Sequence, residues 1–353
     1  MAADRLRMGI VGCGGIAKTH AKALASLPEA LFAACCDIDE SRAREMAEEY
    51  GVPNVFTDVH ALMQSGTVDA VLVCTPHPSH ALVVVAAAEA GVHVLCEKPI
   101  TVDLVEADRM VDAAARAGIK FGGIFQRRFW PAAQRIRRAI DDGQLGRLTL
   151  GECQARIWRP RAYYARDAWR GKWATEGGGV LMNQAVHAID LFQWYMGPVT
   201  EIYAHYDTLV HGDYIDVEDT VVATVRFAGG GMGFIEAATT INPNFGFKVA
   251  VHGDNGATAS VWESPEGTEG VNDLWTVGGE IEHIDVFAAD RETTPGFPAF
   301  HRMQIQEFVQ AVLAGRDPAV TGEEARKALE IILAIYQSSR TGKPVSMPMA
   351  RTT

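Results

Sequence analysis

The chain has 353 residues, room for about two domains with well-buried cores. Hydrophobic residues make up 48% and charged residues 22%, a globular balance that argues against extended disorder. With 32 basic and 44 acidic residues the net charge is -12. That disfavours a general nucleic-acid or membrane-surface partner, since both need a positive field, but not a small anionic substrate in a locally basic cleft.

Six cysteines are present, Cys13, Cys35, Cys36, Cys74, Cys96 and Cys153, all but the last in or beside runs that read as buried strands. They form no CxxC pair and no Cys/His zinc spacing, so reduced core thiols are expected and no metal site. Met1 to Met8 leads straight into a strand with no apolar signal segment. No run approaches the ~18 apolar residues of a membrane span. A cytoplasmic protein is expected.

Up to residue 126, short apolar runs alternate with helical patterns. Leu6 to Val11, Leu31 to Cys36, Val68 to Cys74, His93 to Cys96 and a run starting at Lys120 read as strands. Ile16 to Ser26, Glu40 to Tyr50, Ala81 to Ala90 and Leu104 to Ala117 read as the helices between them. Strands apolar throughout and separated by helices predict a parallel sheet covered on both faces, a doubly wound α/β domain over 1–126. The rhythm then changes. Pro131 to Asp141 and Val180 to Trp194 are helical. Leu148 to Trp158, Val221 to Phe227, Met232 to Thr239, Lys248 to His252 and Thr258 to Val261 read as strands. Turns at Gly229-Gly230-Gly231 and Asp254-Asn255-Gly256 predict antiparallel pairing. Helices from Phe300 to Ala314 and Glu323 to Ser339 close an α+β domain over 127–353.

The first strand runs into Gly12-Cys13-Gly14-Gly15-Ile16-Ala17, a G-x-G-x-x-A turn opening a helix. Gly12 permits the tight turn, Gly14 and Gly15 let a pyrophosphate approach the backbone, and Ala17 lets the helix pack close. From Ile16 on, the helix start offers free N–H groups to phosphate. The second strand ends at Asp37, whose carboxylate suits the ribose hydroxyls and repels a 2′-phosphate, which points to NAD. Asp39 is better placed as the next helix cap. Lys98, in Glu97-Lys98-Pro99, lies at the carboxyl edge of the parallel sheet, where such folds bind ligands. Its ammonium could donate to a substrate hydroxyl; a plain surface pair with Glu97 is the alternative.

Gly12, Gly14 and Ala17, with Asp37, Cys74-Thr75-Pro76, Glu97-Lys98-Pro99 and Gly177-Gly178-Gly179 followed by His187, resemble the Gfo/Idh/MocA oxidoreductases, the glucose–fructose oxidoreductase, inositol dehydrogenase and rhizopine catabolism group. The resemblance covers nearly the whole chain. It implies a Rossmann domain followed by an open-faced, mainly antiparallel sheet, often packed face to face in homodimers or homotetramers. It also implies a catalytic Lys98, often before a cis proline, with Thr75, Pro76 and Glu97 beside the cofactor. Asn183 and His187, four apart, would share one helical face, and Asp190 could orient the imidazole or form a structural bond. The family pattern gives His187 a catalytic role. Many members carry Asp at Asn183; its absence shifts the base role to His187 with Lys98 and leaves Asn183 to hold a substrate hydroxyl through its amide.

The segment Tyr163 to Trp173, with Asn183-Gln184, is similar to the branch acting at C3 of nucleotide-linked sugar acids, and also fits relatives acting on free sugars or glycosides. Tyr163, Tyr164 and Lys172 read equally as sugar contacts or as a packed aromatic loop with a basic rim. Trp169-Arg170-Gly171 resembles a cofactor-side contact. Gln126, Arg127 and Arg128 could line the cleft where the domains join; Arg127 is taken as a substrate contact. His80 is expected to cap or pack its helix. The function expected is NAD-dependent oxidation of a secondary hydroxyl of a sugar, sugar derivative or inositol. His187 would accept the proton, assisted by Lys98. A keto-sugar reductase is the alternative, and a non-catalytic sugar or nucleotide sensor a further one that the presence of both Lys98 and His187 disfavours.

Overall fold

The computed structural model describes residues 5–296 and 298–350. The outer ends expected for the two domains, Met1 and Thr353, and the segment Met1 to Asp4 ahead of the first strand lie outside the described residues.

In chain order the first elements are β1 (Leu6–Val11), α1 (Gly15–Ala25), β2 (Ala30–Cys36), α2 (Glu40–Tyr50), β3 (Asn54–Phe56), α3 (Val59–Gln64), β4 (Ala70–Val73), α4 (His80–Glu89), β5 (His93–Cys96), α5 (Leu104–Ala117) and β6 (Phe121–Gly123). Their sheet is parallel, in the order β3-β2-β1-β4-β5-β6. The order reverses between β1 and β4, so the carboxyl ends of those two strands flank the switch point where doubly wound sheets take ligands. Central strands are apolar because both faces are covered: Ile10, Val71 and Val73 are fully buried, each worth about 1.5–3 kcal/mol of apolar transfer. Asp39 and Asp103 cap α2 and α5 by accepting from Ser41 and Glu106 amides.

There follow α6 (Pro131–Asp141), β7 (Leu148–Arg156), α7 (Arg161–Ala165), α8 (Trp173–Glu176), a π-helical stretch (Val180–Ala185), α9 (Val186–Met196), β8 (Val199–Asp207), β9 (Thr220–Phe227), β10 (Met232–Ala238), β11 (Gly246–Gly253), β12 (Thr258–Glu263), β13 (Leu274–Trp275), β14 (Glu282–His283), α10 (Ala299–Leu313), α11 (Gly322–Thr341) and β15 (Val345–Ser346). A nine-stranded sheet runs β14-β13-β12-β11-β7-β10-β9-β8-β15. It is antiparallel except for β7 with β10. One face is covered by α9. Gly151 and Gly233 stand opposite each other in register, and a Cβ on either would come within 2.7 Å of the Phe192 ring; their missing side chains make room for that residue. The other face carries the alternate residues, among them the exposed Val222 and Met232.

Two compact units form: residues up to 126 with 298–326, and 127–296 with 327–350. The boundary after residue 126 is where the rhythm of the sequence changes, but 298–326 groups with the first unit, not with the second as expected from chain order. The reason is packing. Ile305, Phe308 and Val309 of α10 are buried in the same core as Leu24 and Leu27, and Gln304 donates to the Gly123 carbonyl while its own oxygen accepts from the Phe125 amide.

Candidate functional site

The glycine turn is built as its spacing predicts. Gly12 has φ 89°, and a Cβ there would lie 2.8 Å from the Cys74 backbone, so β1 and β4 meet at their ends only through glycine. A Cβ at Gly14 or Gly15 would meet nothing within 4 Å, and no side chain caps α1. The helix therefore starts with open backbone and unsatisfied N–H groups, the requirement for a pyrophosphate. Asp37, half-buried at the end of β2, accepts the Cys13 amide at 2.7 Å and the Asp39 amide at 2.9 Å. It braces the turn. Beside it Ile38 is 95% exposed, an apolar surface that no sequence motif marks. Thr75 Oγ1 is buried and has no hydrogen-bond partner among the described residues, an orphan that suits a polar ligand at this sheet edge. These features fit a dinucleotide: Gly12, Gly14, Gly15 and Ile16 for the phosphates, Asp37 for the ribose, Ile38 for an aromatic base, and Thr75 with Pro76 on the adjoining loop.

At the end of β5 the Lys98–Pro99 peptide is cis, and Lys98 is half-buried. Glu97 is buried, and both of its carboxylate oxygens are engaged within the protein. Its Oε1 pairs with His20 Nε2 at 2.6 Å and its Oε2 accepts the Lys98 amide at 2.9 Å. Burial alone would push this carboxyl up, but the His20 hydrogen bond and charge, with Lys98 and His301, hold it at about 2. Glu97 thus ties the Lys98 backbone to the helix that opens at the glycine turn. His80 does as expected: it is buried and its ring nitrogens face the Thr75, Pro99 and Ile100 carbonyls. It joins the two loops that flank the switch point. Burial draws its pKa down against the pull of those carbonyls.

In the second unit the three glycines have separate reasons. Gly177 ends α8 at φ 81°. A Cβ on Gly178 would lie 2.1 Å from the Tyr336 hydroxyl, and one on Gly179 2.0 Å from the Glu218 carbonyl. Glu218 clamps the start of the π-helical stretch: its carboxylate accepts the Gly179 amide at 2.7 Å, the Leu181 amide at 3.1 Å and the Tyr336 hydroxyl at 2.8 Å. Burial pushes its carboxyl up to about 7. Asn183 and His187 do not belong to one regular α-helix: Asn183 lies in the π-helical stretch and His187 is the second residue of α9. The wider turn rotates the two relative to α spacing.

Asn183 Nδ2 donates to Glu176 Oε1 and reaches the Tyr163 hydroxyl at 3.4 Å. Glu176, 1% exposed, also accepts the Gly171 amide at 2.5 Å. A carboxylate thus does stand beside Asn183, supplied seven residues upstream instead of at position 183 itself. The Tyr163 hydroxyl accepts from Gln184 Nε2 at 2.9 Å and from Arg170 Nη1. Arg170 pairs with Asp167 and lies 4.3 Å from the Trp169 ring centre. Tyr164 is buried against Tyr163, His211 and Tyr214, its hydroxyl on Thr239 Oγ1. Lys172 is exposed.

Asp190, Arg127 and Arg128 are all held in buried ion pairs. Of the two roles open to Asp190, the structure shows the structural one: it forms a bidentate pair with Arg128 at 2.6 and 2.7 Å, both side chains buried. Arg127 is buried too, 2.5 Å from Glu263 and 4.3 Å from the Phe247 ring centre. Each guanidinium thus has a buried carboxylate partner within its own unit. Glu176 and Glu218 belong to no motif in the sequence. The glycine triplet, which needs close partners, is the one signal that points to them. Among the described residues no cluster of three or more His, Cys, Asp or Glu side chains could hold a metal, and no helix is long and apolar enough to cross a membrane.

Residues 6–123 match the oxidoreductase family NAD-binding Rossmann fold, and residues 137–347 match the C-terminal alpha/beta domain of the same family. The chain is 28% identical to myo-inositol 2-dehydrogenase of Thermotoga maritima, over 97% of this chain and 98% of that one. It is 26% identical to D-glucoside 3-dehydrogenase of Escherichia coli, over 98% and 99%. Among solved structures, the WlbA dehydrogenase of Bordetella pertussis in complex with NADH and UDP-GlcNAcA is similar with TM-score 0.82 and 29% identity, over 98% of this chain and 100% of that one. With both domains matched in order and the glycine turn open to a dinucleotide, the chain belongs to the Gfo/Idh/MocA oxidoreductase family and is an NAD-dependent oxidoreductase.

Proposed function

We propose that the protein oxidises a secondary hydroxyl of a sugar, a sugar derivative or an inositol. The observation that carries this is the open start of α1 beside Asp37. It suits a dinucleotide without a 2′-phosphate, on a chain whose relatives include inositol and glucoside dehydrogenases. NAD, when bound, supplies the hydride acceptor. His187 takes the hydroxyl proton, and the Lys98 ammonium offsets the charge left on oxygen. Asn183 and Tyr163 hold further hydroxyls, with Arg170 and Trp169 bordering them. Arg127 stays a candidate substrate contact: Glu263 engages one side of its guanidinium, while Nη1 is buried with no hydrogen-bond partner among the described residues.

The six cysteines, all free and buried, support a reducing compartment, the cytoplasm. The outward face of the larger sheet, with Leu150, Val222 and Met232 exposed, is proposed to meet a second copy of the chain, giving a dimer or tetramer. The test of function is NADH formation, followed by absorbance, against a panel of inositols, free sugars, glycosides and nucleotide-sugar acids. Turnover of at least one polyol is expected; silence across the panel, with NAD bound tightly, would favour a sensor.

A further inference from the structure

We propose that Tyr163 is a substrate contact of fixed polarity, giving its phenolic hydrogen to one acceptor oxygen of the polyol. This rests on the polyol-oxidation reading above and names how one part of that site discriminates. The Tyr163 hydroxyl is surrounded by donors. Gln184 Nε2 approaches at 2.9 Å, Asn183 Nδ2 at 3.4 Å, and Arg170 Nη1 also donates to it. A guanidinium never accepts. The Asn183 amide is oriented by its neighbour: Glu176, buried and acceptor-only when ionised, takes one Nδ2 hydrogen, which turns the other toward Tyr163. A phenolic oxygen accepts two hydrogen bonds and donates one. With its lone pairs engaged by these donors, the capacity left to Tyr163 is its O–H.

The ring cannot turn easily to escape this arrangement. Arg170 lies 4.5 Å and Arg159 4.8 Å from its centre, and the Tyr164 ring meets it edge-on at 5.1 Å. Tyr163 is partly exposed, and the ligand is proposed to reach it at the hydroxyl. A group presented this way selects oxygen that can accept, a hydroxyl, ring or carboxylate oxygen, and rejects an ammonium at the same place. Glu176 and Arg170 are positioning residues for it.

The experiment uses the whole enzyme with NAD and a polyol that wild type oxidises, together with that polyol's monodeoxy analogues, on wild type and Tyr163→Phe. Tyr163→Phe should lower kcat/KM for the parent polyol about 10–100-fold, with KM for NAD within about two-fold. One deoxy analogue penalised about 10–100-fold in wild type should be penalised less than about three-fold in the variant, because the contact is already gone. If the two penalties multiply at every position, the phenolic hydrogen is held within the protein, on the Gln184 amide oxygen, and the proposal is overturned. Unchanged kcat/KM in Tyr163→Phe overturns it as well. No NADH from any polyol with wild type refutes the dehydrogenase reading itself, an outcome distinct from either.

Discussion

Replacing Glu218 by Gln tests how the second unit holds its glycine triplet. Burial raises this carboxyl to about 7 from an ordinary 4.5. The folded protein therefore keeps a proton that the unfolded chain releases between those values. The stability from Glu218 is full below the lower value and is lost as pH rises through the upper. At about 1.36 kcal/mol per pH unit, acting from pH 5.5 to about 7, wild type loses about 2 kcal/mol between pH 5.5 and 8.5 from this group. Gln has no such proton. Its amide oxygen can replace one carboxylate oxygen, but its NH₂ then faces the Gly179 or Leu181 amide, both of which need acceptors. One buried donor left unpaired costs about 1–3 kcal/mol. In urea unfolding at pH 5.5, Glu218→Gln should be less stable than wild type by that amount, and the gap should shrink by about 2 kcal/mol at pH 8.5. A gap constant to within about 0.5 kcal/mol across the range would refute the raised carboxyl and the reasoning from burial.

Lys98→Ala should lower kcat about 10²–10⁴-fold while NADH binding, read by fluorescence, persists; near-wild-type turnover removes Lys98 from the chemistry. Asp37→Ala withdraws the acceptor of the Cys13 amide and the ribose partner together, so KM for NAD should rise about 10–100-fold and preference over NADP should collapse. An unchanged NAD/NADP ratio in steady-state kinetics would count against Asp37. Gly151→Ala puts a Cβ 2.7 Å from Phe192 and 2.8 Å from Met196, overpacking worth about 1–3 kcal/mol. Thermal unfolding should show a lower Tm, partly restored by Phe192→Leu.

The first unit is legible in the sequence because its strands are apolar on both faces and the glycine turn is local, a matter of consecutive residues. β3 is not, since three half-buried residues at a sheet edge carry no periodicity. β8 is hidden although its burial alternates, since Glu201, Tyr203 and His205 interrupt the apolar pattern with polar atoms. The grouping of α10 with the first unit cannot be seen in its amphipathic pattern, which says that a face is buried but not against which partner. The π-helical stretch likewise leaves no mark on residue spacing. The same limit applies to Glu218 and Asp190: a carboxylate in a sequence reads as exposed unless its donors are known, and those donors lie well apart along the chain, as Arg128 does from Asp190 and Tyr336 from Glu218. Glu176 is hidden although its donors Gly171 and Asn183 are near in sequence, because no motif marks them as its partners. The family resemblance singled out Lys98 and His187 as expected site residues; it did not foretell that a glutamate would stand beside Asn183.

The glycine triplet has a bearing on redesign. Gly178 and Gly179 are closed to any larger residue by Tyr336 and by the Glu218 backbone, so variation aimed at a new sugar would be wasted there. The neighbouring stretch 161–172 is different: Arg161, Arg166, Ala168 and Lys172 are exposed and can change size and charge without disturbing a core. A library that freezes the triplet and randomises those four positions varies the surface of this stretch while leaving the helix that bears His187 anchored.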